Sequence, residues 1–210
     1  MCGIVAVIGS REAAPLLLDG LRQLEYRGYD SAGIATLETL SSGVTPALHC
    51  IRAKGKLVNL SARVDQEGAP GFCGIGHTRW ATHGKPEEHN AHPHRDGSGR
   101  VAVVQNGIIE NHRALRDALT AAGVTFRSDT DTEVIPHLVS AELERQRAAG
   151  RPADGSTLLA SVQAVLPQLQ GAYALAVLWA EVPGALVVAR KAAPLLIGLG
   201  EGEFLCASDT

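Results

Sequence analysis

Strand-like and helix-like segments in this chain come in groups, and that grouping limits the folds open to it. Residues 3–8 form a continuous apolar, β-branched-rich run that ends at Gly9-Ser10 and suits a buried strand. Over 12–24, Ala13, Leu16, Leu17, Leu21 and Leu24 share one helical face, with Pro15 tolerable only in the first turn. Short β-like runs follow at 33–37, 47–52, 73–79 and 101–105, punctuated by Gly, Pro or Asn. Helical periodicity returns at 111–122, at 131–147 with Asp129 or Thr130 as cap, and at 156–166, stopped by Pro167. Strand-like runs at 172–180, 185–190, 194–199 and 203–207 complete the pattern. Such clusters predict an α+β fold with largely antiparallel sheets, not a doubly wound parallel sheet. The polar stretch 145–156 reads as a surface loop within one domain. The last strand stops three residues short of Thr210, which predicts a chain cut short near its C-terminal end.

Composition removes several function classes. The chain has 210 residues, 45% of them hydrophobic and 20% charged, enough for a real core. A net charge of −3 and 4% aromatic residues supply neither a cationic field nor a stacking surface for nucleic acid. No run approaches the roughly 18 apolar residues of a membrane span, and no secretory leader is visible. The four cysteines (Cys2, Cys50, Cys73 and Cys206) lie far apart without CxxC spacing. These features predict a reduced, cytoplasmic protein. His77, His83, His89, His92 and His94 crowd into 18 residues but lack HExxH or paired i,i+4 spacing. They read as packing and hydrogen-bonding histidines, with no metal and no cofactor expected.

The chemistry gathers at loops between strands. Cys2 follows the initiator methionine at the head of the first apolar run. If Met1 is removed, its thiol and a terminal α-amine of pKa near 7.7–8.0 share one residue, so nucleophile and base come together. A small buried cysteine is the bland alternative. Tyr26-Arg27-Gly28-Tyr29-Asp30-Ser31 makes a polar turn after the first helix. In His77-Thr78-Arg79-Trp80-Ala81-Thr82-His83-Gly84, Arg79 is suited to grip a carboxylate through two hydrogen bonds, with Thr82 as a further donor. Asn106-Gly107 is first a hairpin-turn signal. It can also aim a side-chain amide and a backbone N–H at one oxyanion, and glycine leaves room for substrate to approach. In Ser128-Asp129-Thr130-Asp131-Thr132-Glu133 an acidic residue either caps a helix or neutralises an ammonium group.

Together with Asn90-Ala91-His92-Pro93-His94, these motifs appear in an order that resembles the N-terminal glutaminase domains of glucosamine-6-phosphate synthases (glutamine–fructose-6-phosphate aminotransferases, isomerizing). The Tyr-Arg-Gly-Tyr-Asp form resembles the hexosamine branch more than other amidotransferases that begin with the same cysteine. The resemblance spans essentially the whole chain. It implies the four-layer αββα sandwich of N-terminal-nucleophile hydrolases, with 1–210 as one class II glutamine amidotransferase domain lacking the sugar-isomerase domains. Cys2 would be the nucleophile, with Asn106 and Gly107 forming the oxyanion hole. Arg79, Thr82 and the backbone near His83 would hold the glutamine carboxylate. Asp131, helped by the Gly107 carbonyl, would hold its ammonium, and Trp80 would close the site. Arg27 and Gly28 would support the loop. L-Glutamine is the implied substrate. Fructose 6-phosphate would be served only through a synthase half, in a full-length protein expected to be a homodimer. Gln105 departs from the histidine usual before the oxyanion asparagine. A non-catalytic glutamine-binding domain, or another N-terminal-cysteine amidotransferase or hydrolase, remains the alternative.

Overall fold

Two antiparallel sheets stack face to face in a computed structural model that describes residues 2–38, 46–80 and 84–209. The chain runs through β1 (Gly3–Ile8), α1 (Ala13–Gln23), β2 (Ser31–Glu38), β3 (Ala47–Lys54), α2 (Leu57–Glu67) and β4 (Cys73–Arg79). Then come β5 (His94–Arg95), β6 (Val101–Gly107), α3 (His112–Ala121), α4 (Val134–Ala148) and α5 (Gly155–Val165). Strands β7 (Tyr173–Trp179), β8 (Leu186–Lys191), β9 (Leu196–Gly200) and β10 (Glu203–Ala207) follow. One sheet has the order β3-β2-β4-β1-β10-β9 and the other β5-β6-β7-β8. The grouped pattern therefore delivers the expected α+β, αββα sandwich.

Three apolar clusters bind the four layers. Val5, Val7, Ile34 and Ile51 meet Leu17, Leu21 and Leu60 where α1 and α2 cover the first sheet. Ile4, Ala6, Ile75, Ala102, Val104, Ala174 and Ala176 fill the space between the sheets. Val101, Val103, Leu175 and Val177 meet Val134, Ile135, Leu158 and Val162 beneath α4 and α5. Each fully buried aliphatic side chain contributes about 1.5–3 kcal/mol of transfer free energy. The central strands β1, β6 and β7 are buried on both faces, which is why they read as unbroken apolar runs rather than alternating ones.

Strand parity determines what reaches the intersheet layer. Ile4 and Ala6 face inward from β1, so Cys2 shares their side; Cys73 and Ile75 do so from β4, followed by His77 and Arg79. Ala102 and Val104 do the same from β6, followed by Asn106. The antiparallel register pairs Ile4 with His77 and Gly3 with Thr78, so the inward ends of β1 and β4 coincide.

Several local expectations change. Helix α2 has no counterpart in the sequence reading, and neither does the two-residue β5. Helix α4 begins at Val134, not 131, and neither Asp129 nor Thr130 caps it. Instead the Glu133 carboxylate turns back to accept from the Arg127 and Ser128 N–H groups, at 2.8 and 2.7 Å. Residues 145–148 of the polar stretch are the last turn of α4, and the loop starts only after them. Asn106-Gly107 makes no hairpin turn; both residues end β6.

Candidate active site

The three inward strand ends converge where Cys2 leaves β1. Cys2 Sγ accepts from the Trp80 N–H at 3.3 Å. The Cys2 carbonyl accepts from Arg27 Nε at 3.1 Å and from Asn106 Nδ2 at 3.2 Å. Burial pushes the Cys2 thiol up; the Trp80 N–H and the Arg79 charge pull it down, while Asp131 pushes it up again. Burial wins, so the resting group is a thiol that needs a base. Arg79 and Asp131 thus both act on the thiol, one from the end of β4 and the other from the turn before α4.

Arg79 is nearly fully buried at the end of β4. Its guanidinium donates to the Gly84 and Lys85 carbonyls, each at 3.3 Å. Burial lowers its pKa, opposed by the Cys2, Asp131 and Asp30 groups. Asp131 sits in the turn before α4, where its Oδ2 accepts from the Ile109 N–H at 2.7 Å. That bond ties the carboxylate to the segment directly after Gly107. Trp80 is 45% exposed and meets the Tyr29 ring edge-on at 5.6 Å. Thr82 and His83 lie outside the described residues.

Gly107 has φ +96°, and a Cβ there would stand 2.1 Å from the Ala172 carbonyl oxygen. Glycine is therefore demanded by the β7 backbone, a different reason from the expected room for substrate. Arg27 reaches past the Cys2 carbonyl to an ion pair with Asp209, which also accepts from the Tyr26 hydroxyl. Gly28 packs against the peptide that positions the thiol. A Cβ on it would lie 2.7 Å from the Arg79 carbonyl carbon and 2.8 Å from the Trp80 nitrogen. Gly28→Ala is therefore expected to destabilise the fold by about 1–3 kcal/mol and to move the Trp80 N–H off the sulfur. Thermal melts would read the first effect. A slower alkylation of Cys2 at fixed pH would read the second, and an unchanged rate would contradict it.

Several residues that the motifs contain without a role turn out to support the site. Gln105 bridges the Asn106 backbone and the Asp131 turn: its Oε1 accepts from the Thr132 hydroxyl at 2.6 Å and its Nε2 donates to the Asn106 carbonyl at 2.8 Å. The departure from histidine thus leaves a buried, hydrogen-bonded side chain between β6 and the Asp131 turn. Asn90 fixes the same turn through the Asp129 N–H at 2.8 Å. Glu133 stays ionised despite burial, its pKa pulled down to about 2 by His137 one turn along α4 and by the Ser128 and Arg127 donors. His92 and His94 pack and hydrogen-bond as expected, but buried: His92, in the irregular segment before β5, stacks on His77 at 4.1 Å, and His94 bonds to Thr130 at 3.0 Å. Among the described residues no group of three or more His, Cys, Asp or Glu is arranged to hold a metal. No helix among them is long and apolar enough to cross a membrane.

The glutamine amidotransferase domain family matches residues 77–210. The chain is 59% identical over its whole length to a glutamine–fructose-6-phosphate aminotransferase (isomerizing) of Thermosynechococcus vestitus, and 56% identical to one of Gloeobacter violaceus. It spans about a third of the length of these relatives, 32% of each. Among solved structures it is similar to a Bacillus subtilis glutamine phosphoribosylpyrophosphate amidotransferase complexed with ADP and GMP. That match has a TM-score of 0.78 and 26% identity, and covers 99% of this chain and 42% of the other. A structure described as the allosteric regulatory enzyme of purine biosynthesis matches equally well, at 27% identity. The chain belongs to the glutamine amidotransferase domain family.

Proposed function

We propose that the chain hydrolyses L-glutamine to glutamate and ammonia at Cys2 once Met1 has been removed. The Cys2 α-amine takes the thiol proton, and sulfur attacks the side-chain carbonyl carbon of glutamine. The Asn106 amide and the Gly107 N–H receive the oxyanion. The ammonium formed on Cys2 protonates the departing nitrogen, which leaves as ammonia. Water, deprotonated by the same amine, then attacks the γ-glutamyl thioester and releases glutamate and the thiol. Arg79, with Thr82 and the backbone near His83, holds the α-carboxylate. Asp131 and the Gly107 carbonyl hold the α-ammonium, and Trp80 closes the site. No step calls for a cofactor.

The observation that carries this reading is the pair Arg79 and Asp131, opposite charges held at the end of β4 and in the turn before α4, that both act on the Cys2 thiol. A peptide-cleaving hydrolase would have no use for receptors at both ends of a free amino acid. In a longer protein of the relatives' kind, residues 1–210 would form the glutaminase domain. Its ammonia would pass to a synthase half for transfer to fructose 6-phosphate, in a cytoplasmic homodimer.

The test is ammonia release by the purified protein from glutamine and from two truncated amides, one lacking the α-carboxylate and one lacking the α-amine. Each truncated amide is expected to lose at least about 30-fold in kcat/KM, the lower end of the effect of leaving a buried charge unpaired. Equal turnover of all three would refute the assignment of Arg79 and Asp131. No turnover of glutamine by protein lacking Met1 would refute the hydrolase reading.

A further inference from the structure

We infer that His77 is the positioning residue that sets which end of the Asn106 side-chain amide faces Cys2. This rests on the hydrolytic reading of the site. Asn106 Oδ1 lies 3.1 Å from His77 Nε2, and Asn106 Nδ2 lies 3.2 Å from the Cys2 carbonyl oxygen. A carbonyl oxygen only accepts, so the nitrogen end must face Cys2 and the oxygen end must face the imidazole. In the flipped state two oxygens would oppose each other at Cys2, and two N–H groups would oppose each other at the protonated imidazole. The contact therefore requires a proton on Nε2, which donates to Asn106 Oδ1.

The ring is built to keep that proton there. His77 is wholly buried, and burial followed by the Arg79 charge pulls its pKa down to about 3, so it is neutral and carries one proton. The Gln105 backbone lies close enough to favour the charged ring as a hydrogen-bonding group, but Nδ1 makes no hydrogen bond of normal geometry among the described residues. Nothing in bonding geometry therefore competes with Asn106 for the proton. The His92 ring stacks on His77 at 4.1 Å and 12° and holds its plane. His92 Nδ1 in turn accepts the Gln105 N–H at 3.2 Å, one residue before Asn106. One imidazole pair thus braces both the donor and the strand it addresses.

The consequence is chemical. Amide nitrogen and oxygen have nearly the same shape, so packing alone does not choose between the two orientations. A flipped Asn106 would turn a lone pair toward the developing oxyanion, where a donor is needed. His77 and the Cys2 carbonyl together remove that choice before substrate arrives, which lowers the reorganisation required during attack.

Nitrogen NMR of the wild-type imidazoles at neutral pH, together with steady-state kinetics, tests the assignment. The expected spectrum shows His77 as the neutral Nε2–H form; an Nδ1–H or charged ring would overturn the proposal without any substitution. His77→Phe, which keeps the stack but has no donor, is expected to lower kcat about 10–100-fold, with KM changed less than about twofold. His77→Gln, whose amide can donate to the same oxygen, is expected to recover part of that loss. His77→Phe combined with Asn106→Ala is expected to be no slower than Asn106→Ala alone. A His77→Phe enzyme with wild-type kcat, or a double variant that loses the full product of both effects, would overturn the positioning role while leaving the hydrolytic reading intact. A wild-type protein lacking Met1 that ignores glutamine would instead overturn the hydrolytic reading itself.

Discussion

Cys2→Ala is expected to remove glutamine hydrolysis almost entirely, lowering kcat by on the order of 10⁴-fold or more. The size follows from the chemistry. Without sulfur there is no thioester, and what remains is water attacking an amide held beside two hydrogen-bond donors. Asn106→Ala keeps the nucleophile and loses one of those donors, so its expected cost is smaller, about 10²–10³-fold. Stability should hardly move in Cys2→Ala, because the sulfur's bond is to the backbone of a half-exposed tryptophan. The measurement is ammonia release beside a thermal melt. A second preparation in which Met1 is retained should be equally inert with every side chain in place, since the α-amine then sits on the wrong residue. If either protein kept a tenth of wild-type turnover, the self-activated cysteine would have to be abandoned.

What the sequence made legible depended on whether the signal was local. Cys2, Arg79 and Asn106 stand in recognisable motifs, and their strands announce themselves as apolar runs. That they meet is a property of register: the inward parity of β1, β4 and β6 becomes a site only when Ile4 lies opposite His77 and the sheets stack. Helix α2 stayed hidden because only Leu57, Leu60 and Val64 are buried on an otherwise polar segment, and Lys56 offers no side-chain cap. The start of α4 misled for the opposite reason. Ser128–Glu133 has the composition of a cap, yet Glu133 uses its carboxylate on the turn that precedes the helix. Periodicity cannot distinguish these uses, because both put an acidic residue at a helix N-terminus. The histidines show the same limit. Their crowding was visible, but stacking between β4 and the segment leading into β5 is a tertiary fact.

Those histidines should also make the protein acid-labile well above the pH where carboxylates usually unfold proteins. Burial pulls His77 and His94 down to about 3, and His92 falls well below its ordinary value for the same reason. In the unfolded chain each would titrate near 6.5. A histidine whose folded pKa is depressed binds its proton only after unfolding, so its stabilising effect is complete above about pH 6.5 and is lost as pH falls toward 3. With His77 and His94 near 3 the slope near pH 5 is about 3 kcal/mol per pH unit, before any discount for water entering the core, and His92 adds in the same direction. A domain of ordinary stability holds about 5–15 kcal/mol, so a loss of that steepness exhausts much of it between pH 6 and 4. Glu133 adds to the loss only below its unfolded value of about 4.5, since its folded pKa is near 2. Urea titrations from pH 7.5 to 4.5 would measure the slope. His94→Gln, which can still bond to Thr130, should be less stable at neutral pH but flatter in acid by about 1.4 kcal/mol per unit, the share of one proton. A wild-type curve that stays level from pH 7 to 5 would mean that the imidazoles are charged in the folded core, and the neutral His77 that orients Asn106 would fail with it.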